Sequence, residues 1–173
     1  AYRRGTGAMH AMVAPEETFN EGTSRPQIIS IQVALNVPFS LAGQTLRYIG
    51  AWRSQWNQTP LIPQDRFAIG GRYTVRGFDG ENTLSAERGW LFRNDLAMLL
   101  GNSGQALYLG LDYGHVSGRS ADLLLGTHLA GGVLGLRGAY KGLQYDLFVG
   151  TALSKPDGFE EGNIAGFSVI YQY

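Results

Sequence analysis

Apolar and polar residues alternate along most of this chain, in runs of about ten residues. The clearest run lies between Ile28 and Phe39, where every odd position is a branched aliphatic or aromatic residue. A period of two residues places successive side chains on opposite faces of a β-strand. Because about ten residues is also the length of a strand that crosses a bilayer, the run predicts a strand with one face in lipid.

The same alternation predicts seven strands and part of an eighth. They cover the first residues of the chain and residues 28–39, 46–56, 90–100, 106–116, 125–138, 143–153 and 164–173. Short turns at Ala42–Gln44 and Gly101–Gly104 alternate with long polar segments, an asymmetry typical of outer-membrane barrels. The pattern predicts an all-β fold, a transmembrane antiparallel β-barrel.

The uncharged stretch from Pro26 to Leu46 is long enough for a membrane-spanning helix. Its apolar residues fall on every second position rather than every third or fourth, and Pro38 interrupts it. We therefore interpret it as strand and turn.

A barrel in a membrane must close, because an open edge leaves backbone groups without partners in hydrocarbon. Single-chain barrels of this kind have an even number of at least eight strands, so this chain alone is not expected to close. The sequence does not begin with a methionine or a signal segment, and residues Ala1–Arg4 already have the pattern of a strand. We expect that a preceding part of the protein was cut away.

A glycine-rich loop from Asp65 to Glu81 interrupts the alternation. Gly70, Gly71 and Gly77 allow backbone conformations that a side chain would forbid. The segment Arg72–Arg76 between them has an extended, β-prone composition, so we expect a long hairpin-like excursion with Arg76 at its tip.

The run GGRYTVRGFDGE, from Gly70 to Glu81, continues into LSAERGW at residues 84–90. It resembles the signature loop of the TpsB transporters of two-partner secretion, with the closest likeness to transporters of contact-dependent inhibition toxins and of haemolysin or adhesin exoproteins. The resemblance identifies a signature loop at about residues 57–89. Its motif residues are Gly70, Gly71, Val75, Arg76, Gly77, Phe78, Asp79 and Gly80.

The resemblance also implies that residues 1–173 are the C-terminal portion of one sixteen-stranded barrel. Two periplasmic POTRA domains and a plug helix would precede them. In this family the arginine of the loop tip reaches down the lumen and pairs with an aspartate on the inner wall. Asp112, which follows Gly110 in a matching strand motif, occupies the corresponding place, and strand phase independently turns it inward. A surface arginine without a fixed partner is the alternative.

Strand phase places a further set of charges on the same inward faces. On the lipid side an arginine near the membrane midplane would cost about 2 to 4 kcal/mol, so a polar lumen is the consistent position. The simplest interpretation is that these charges only solvate a water-filled interior, as is usual for such barrels. They are Arg47, Arg53, Arg93, Asp95, Arg137 and Asp146.

Composition and residue spacing give little support to several other functions. Lys plus Arg and Asp plus Glu number 14 each, which does not favour nucleic acid as a partner. The chain has no cysteine, and His10, His115 and His128 lack the spacing of metal ligands. No pairing of a nucleophile with a base is apparent. We expect no enzyme activity, no cofactor and no metal.

We therefore interpret the chain as part of a transporter in the bacterial outer membrane, which moves a partner exoprotein from periplasm to cell surface. Its expected partners are that secreted toxin, haemolysin or adhesin, outer-membrane lipid, the POTRA domains and the barrel-assembly machinery. The final strand, which ends on Tyr173, resembles the insertion signal of outer-membrane proteins, although Phe is the usual last residue of that signal. A tyrosine at the interfacial belt is the alternative interpretation. A barrel-assembly insertase of the same superfamily and a passive porin are the alternatives.

Overall fold

A computed structural model describes residues 1–8, 12–160 and 162–172. Eight antiparallel strands form one sheet in the order β1-β2-β3-β6-β7-β8-β9-β10. Their bounds are β1 Tyr2–Arg4, β2 Gln27–Leu41, β3 Gln44–Asn57, β6 Arg88–Leu99, β7 Gln105–Ser117, β8 His128–Tyr140, β9 Leu143–Ser154 and β10 Ile164–Tyr171. Two short strands, β4 Phe67–Ile69 and β5 Leu84–Ala86, pair separately within the long loop. The all-β antiparallel prediction is confirmed.

One face of the large sheet is apolar across all the long strands. Residues that pair across antiparallel strands share a face, and the pairing carries the apolar phase of β2 through to β10. One row shows this continuity: Val37, Tyr48, Leu96, Leu109, Leu134, Val149 and Ala165. Because these side chains are mostly exposed, this apolar face is suited to contact lipid.

The opposite face, which we call the loop face, carries the polar phase and is partly covered by residues 58–87. All seven charged residues that were predicted to point inward lie on it. The same pairings that align the apolar rows also align these charges.

The two ends of the sheet differ. Tight turns at residues 42–43, 100–104 and 141–142 form the short-turn end. Ala42 and Lys141 have φ of 49° and 47°, each followed by a glycine with positive φ, as a two-residue hairpin turn requires. Residues 5–26, 58–87, 118–127 and 155–163 form the opposite, loop end.

Two local predictions need correction. Residues 72–76 form turns and bends rather than an extended strand, because Thr74 N–H bonds to Gly71 O at 2.9 Å and no strand pairs beside them. The strand predicted to start at residue 125 begins at His128. Residues 124–127 lie in a loop, where Gly126 is close to Pro156.

The other connections contain short 3-10 helices at Pro15–Phe19, Pro63–Asp65 and Arg119–Leu123. In the described part of the chain, no helix has the length and apolar character needed to span a membrane. The stretch 26–46 is strand and turn, as the alternation predicted. Tyr173 and His10 lie outside the described residues.

Candidate functional site

The long loop between β3 and β6 folds back onto the sheet instead of extending from it. Its hairpin, β4 and β5, packs through a buried apolar cluster against the loop face. The cluster combines loop residues with residues of β6, β7, β8 and the neighbouring loops: Phe67, Ile69, Val75, Phe78, Leu84, Ala86, Leu91, Val116, Ala121, Leu129 and Phe159. This packing anchors the loop and brings its tip to the strands.

Arg76, at the tip, lies against Asp112 on β7. Its Nε and Nη2 donate to Asp112 Oδ2 and Oδ1 at 2.7 and 2.8 Å, a bidentate arrangement. The backbone N–H of Arg76 also donates to Oδ2, at 3.0 Å. Since Arg76 and Asp112 are only 4% and 3% exposed, the pair is enclosed between loop and strand.

Asp95 on β6 is a second partner of the same guanidinium. Arg76 Nη2 donates to Asp95 Oδ1 at 2.6 Å, and Arg137 Nη2 on β8 donates to Asp95 Oδ2 at 2.7 Å. Asp95 therefore connects the loop tip to a second arginine on the sheet. Strand phase placed Asp95 on this face, but nothing in the sequence assigned it to Arg76.

The network continues along the loop face through an aromatic residue. The Arg137 guanidinium carbon lies 3.9 Å from the centre of the Tyr108 ring, which is within cation–π distance. The Tyr108 hydroxyl donates to Asp146 Oδ1 on β9 at 2.8 Å. On the other side, Arg93 Nε lies 3.8 Å from Asp112 Oδ2.

Three arginines and three aspartates thus form one charge-balanced network: Arg76, Arg93 and Arg137 with Asp95, Asp112 and Asp146. Burial by itself lowers the pKa of Arg76, but hydrogen bonds to Asp112 and Asp95 outweigh it and raise the pKa above its usual value. Arg76 therefore stays charged. Removal of one partner from a buried ion pair of this kind would leave an uncompensated charge, which is strongly destabilising.

Glycines on the sheet make the close approach of the tip possible. A Cβ on Gly131, which pairs with Asp112, would lie 1.6 Å from the carbonyl oxygen of Arg76. A Cβ on Gly110 would lie 2.7 Å from both Arg76 Nη2 and Asp95 Oδ1. On the loop, Gly77 has a φ of 97° and lies so close to Thr151 that a side chain there would clash with its backbone.

The other motif residues of the loop support its shape. Val75 and Phe78 are fully buried, and Phe78 packs edge-on to Phe159 with ring centres 5.9 Å apart. Asp79 Oδ1 accepts the N–H of Glu81 at 2.8 Å. Backbone turns use the positive φ of Gly70 and Gly80, and Gly71 N–H donates to Thr74 Oγ1.

Arg47 and Arg53 lie on the loop face but outside this network. Both are exposed, and neither has an ion-pair partner among residues 1–8, 12–160 and 162–172. Within the same ranges, no three His, Cys, Asp or Glu side chains are grouped as metal ligands.

Sequence reasoning missed Tyr108, Gly131 and Phe159 as parts of this site. Tyr108 and Gly131 become neighbours of the loop tip only through strand register. Phe159 lies in a loop whose position depends on tertiary packing. The inward phase of Tyr108 was the one available signal, and it did not distinguish a network member from a lumen-lining residue.

Residues 1–138 match the family model described as haemolysin secretion/activation protein ShlB/FhaC/HecB. The chain is 36% identical over 178 residues to the outer membrane transporter CdiB-2 of Burkholderia pseudomallei strain 1026b. That match covers 100% of this chain and 30% of the relative.

Two solved structures have the same fold. CdiB from Acinetobacter baumannii is 35% identical with a TM-score of 0.78, over 84% of this chain and 27% of that one. CdiB from Escherichia coli, at 20% identity, shows the fold alone, with a TM-score of 0.83 over 97% of this chain and 32% of that one. The chain spans less than a third of the relatives it matches. It belongs to the ShlB/FhaC/HecB family of haemolysin secretion/activation proteins, the TpsB transporters, and corresponds to a C-terminal part of their β-barrel.

Proposed function

We propose that this chain is part of a transporter that passes a partner exoprotein across the bacterial outer membrane to the cell surface. Family membership supports transport, since the matched relative is named as an outer membrane transporter. A continuous apolar face opposite a charged, loop-covered face suits a barrel with lipid outside and an aqueous interior. We also propose that the exported protein is a toxin, a haemolysin or an adhesin.

The observation that carries the mechanism is the enclosed contact of Arg76 with two aspartates on adjacent strands. One guanidinium that satisfies two carboxylates holds the loop tip in a single position on the wall. We propose that the loop is thereby held as a fixed constriction, so that the conduit has a defined state for the exported chain. Transport through it needs no nucleotide or cofactor.

The remaining parts of the transporter are proposed with it. We infer a sixteen-stranded barrel in which residues 1–173 form the C-terminal portion, preceded by POTRA domains that receive the exoprotein in the periplasm. Insertion by the barrel-assembly machinery belongs to the same proposal. A gene for an exoprotein beside this one favours transport over an insertase. Deletion of a passive porin would leave protein secretion unchanged, so loss of secretion on deletion would exclude a porin.

The proposal is tested by a double-mutant cycle on Arg76→Ala and Asp112→Ala in the full-length transporter. Removing one partner of a buried ion pair costs roughly 3 to 5 kcal/mol, and less where water enters. We expect either change to reduce secretion strongly while the barrel still inserts, because the strand ladders are untouched. The double variant should be little worse than either single one.

Arg47→Ala is the matched control, because it removes an arginine from the same face without breaking an ion pair among the described residues. Its secretion should stay near the wild-type level. The exchange Arg76→Asp with Asp112→Arg should recover part of the activity if the pairing of opposite charges matters more than the bidentate geometry of the guanidinium. Additive effects of the two single changes, at normal barrel levels, would show that Arg76 and Asp112 do not act together.

A further inference from the structure

A band of aromatic rings crosses four strands on the apolar face near the loop end. Trp52 stacks on Phe92 with ring centres 6.0 Å apart, and Trp90 lies 5.4 Å from both Phe92 and Tyr113. Tyr113 in turn stacks on His128 at 6.3 Å. Aromatic belts of this kind lie at the boundary between hydrocarbon and headgroups in membrane barrels. The band therefore marks the level of the membrane interface.

Three nitrogen-rich side chains lie at the loop-end edge of this band: His115 and His128 share the row of Trp90, and Arg88 lies one row beyond it. His115 pairs across the strands with both Trp90 and His128. Arg88 pairs with Ser117, one step nearer the loop end on the same face, and is thus a diagonal neighbour of His115. These residues form a small cluster, which we call the interface cluster: Arg88, His115 and His128.

The polar atoms of the interface cluster have few partners. Arg88 Nε donates to Asn57 Oδ1 at 2.7 Å, which orients the guanidinium. In the described part of the chain, its terminal nitrogens have no acceptor and neither imidazole makes a hydrogen bond. Arg88 and His128 are exposed. Donors that have no acceptor within the protein remain available to a ligand, so this cluster suits one with several acceptor oxygens.

An apolar groove lies on the same face, separated from the pair of His115 and His128 by the row of Tyr113 and Ala130. It has a volume of about 620 Å³, and Leu109, Leu111, Leu134, Val149 and Leu153 are among its lining residues. Leu111 pairs with Gly132, one row nearer the short-turn end than the pair of Tyr113 with Ala130. Gly132 lacks a side chain, and this deepens the groove. Nitrogen donors at the headgroup level, with an apolar groove further along the same face, match a phosphate joined to acyl chains.

We propose that Arg88, His115 and His128 bind the phosphate of a phosphorylated glycolipid in the cell-surface leaflet, with one acyl chain in the groove. This rests on the proposed orientation of the barrel, with the loop end at the cell surface. The Arg88 guanidinium matches phosphate as a bidentate donor, and each imidazole presents an N–H donor. Aromatic rings beneath them contact the sugar and the upper acyl chains.

The test uses the full-length transporter in phosphatidylcholine nanodiscs, with lipid A as the added probe and native mass spectrometry as the readout. We expect lipid A to bind the wild-type protein and the Arg88→Gln variant to bind it about fivefold more weakly, the effect of one basic residue near an anionic surface. Adding His115→Gln and His128→Gln should weaken binding further. Lys141→Gln is the matched control, because Lys141 lies in a turn at the short-turn end.

Lipid A binding that is unchanged in the triple variant, or weakened equally by Lys141→Gln, would overturn the proposal. Equal retention of phosphatidylglycerol would show a general anion preference and overturn the glycolipid assignment. Arg88 is exposed, so the single variant should fold, and heat-modifiable migration of the barrel verifies this. Because lipid binding is measured without secretion, this result and the Arg76–Asp112 cycle succeed or fail independently.

Discussion

At the scale of single residues, the site depends on one arginine and on the absence of side chains around it. Arg76 reaches two carboxylates only because Gly110 and Gly131 leave room for its guanidinium and its backbone. Asp95 then shares its second oxygen with Arg137. A change at any of these positions should therefore act on the position of the loop tip rather than on the strands.

Gly131→Ala is expected to displace the loop tip, because the added Cβ would lie 1.6 Å from the carbonyl oxygen of Arg76. Overpacking of this kind typically costs about 1 to 3 kcal/mol. We predict that secretion falls and that the loop becomes accessible to protease, while the barrel inserts normally.

Gly132→Ala is the matched control for that change. Gly132 is the next residue along β8 but faces the apolar side, where its Cβ would lie 3.2 Å from the flexible side chain of Leu153. Secretion should remain close to wild type. Equal defects in the two variants would mean that a glycine in this strand is needed for the strand itself and not for the loop tip.

At the scale of elements, strand phase separates the apolar face from the loop face, and the hairpin of β4 and β5 packs on the loop face. The pairing register keeps Leu35 on the apolar face and Asn36 on the loop face, one residue apart on β2. The hairpin of β4 and β5 has only three residues per strand, so the apolar cluster beneath it supplies most of its anchorage.

Leu35→Arg should destabilise the barrel by about 2 to 4 kcal/mol, because it places a charge on the lipid face near the middle of a strand. Asn36→Arg adds the same side chain to the loop face and should be nearly neutral. Urea unfolding in lipid vesicles measures both variants of the full-length protein. If Asn36→Arg were the more damaging change, the assignment of the two faces would be reversed.

At the scale of the whole molecule, the sheet has two edges and two unlike ends. In the described residues β1 pairs only with β2, and β10 only with β9, so the sheet is open at both edges. A spanning sheet requires partners there, which the remainder of a sixteen-stranded barrel would supply. The difference between short turns and long loops sets the proposed orientation, with Gly43, Ser103 and Tyr173 in the periplasm and Asn20, Asp79, Ser120 and Asp157 toward the cell surface.

Single cysteines at Asp157 and Ser103 of the full-length protein test this orientation. Asp157 lies in the loop between β9 and β10, and Ser103 lies in the turn between β6 and β7. A membrane-impermeant thiol reagent should label Asp157→Cys on intact cells and leave Ser103→Cys unlabelled until the outer membrane is permeabilised. Labelling of Ser103→Cys alone, or of both equally, would contradict the orientation.

The sequence alone was sufficient for the long strands of the large sheet, apart from the start of β8, and for their phase and the faces of the charges. A period of two residues is a local property, readable from Ile29 to Phe39 without knowledge of any partner, and it also turned Asp112 and Asp95 to one side. The contact of Arg76 with Asp112 was anticipated only through the resemblance, and its role in transport remains a prediction.

Tertiary structure alone decided which residues meet. The register of β6, β7 and β8 places Asp95 and Arg137 within reach of Arg76, and it sets Gly131 opposite Asp112. It likewise brings His115 and His128 together beside Trp90. The bent loop tip was misread as extended because its local composition favours strands, whereas buried contacts with the sheet outweigh that preference. Composition and alternation act over neighbouring residues, but register and packing depend on residues that are distant in the chain.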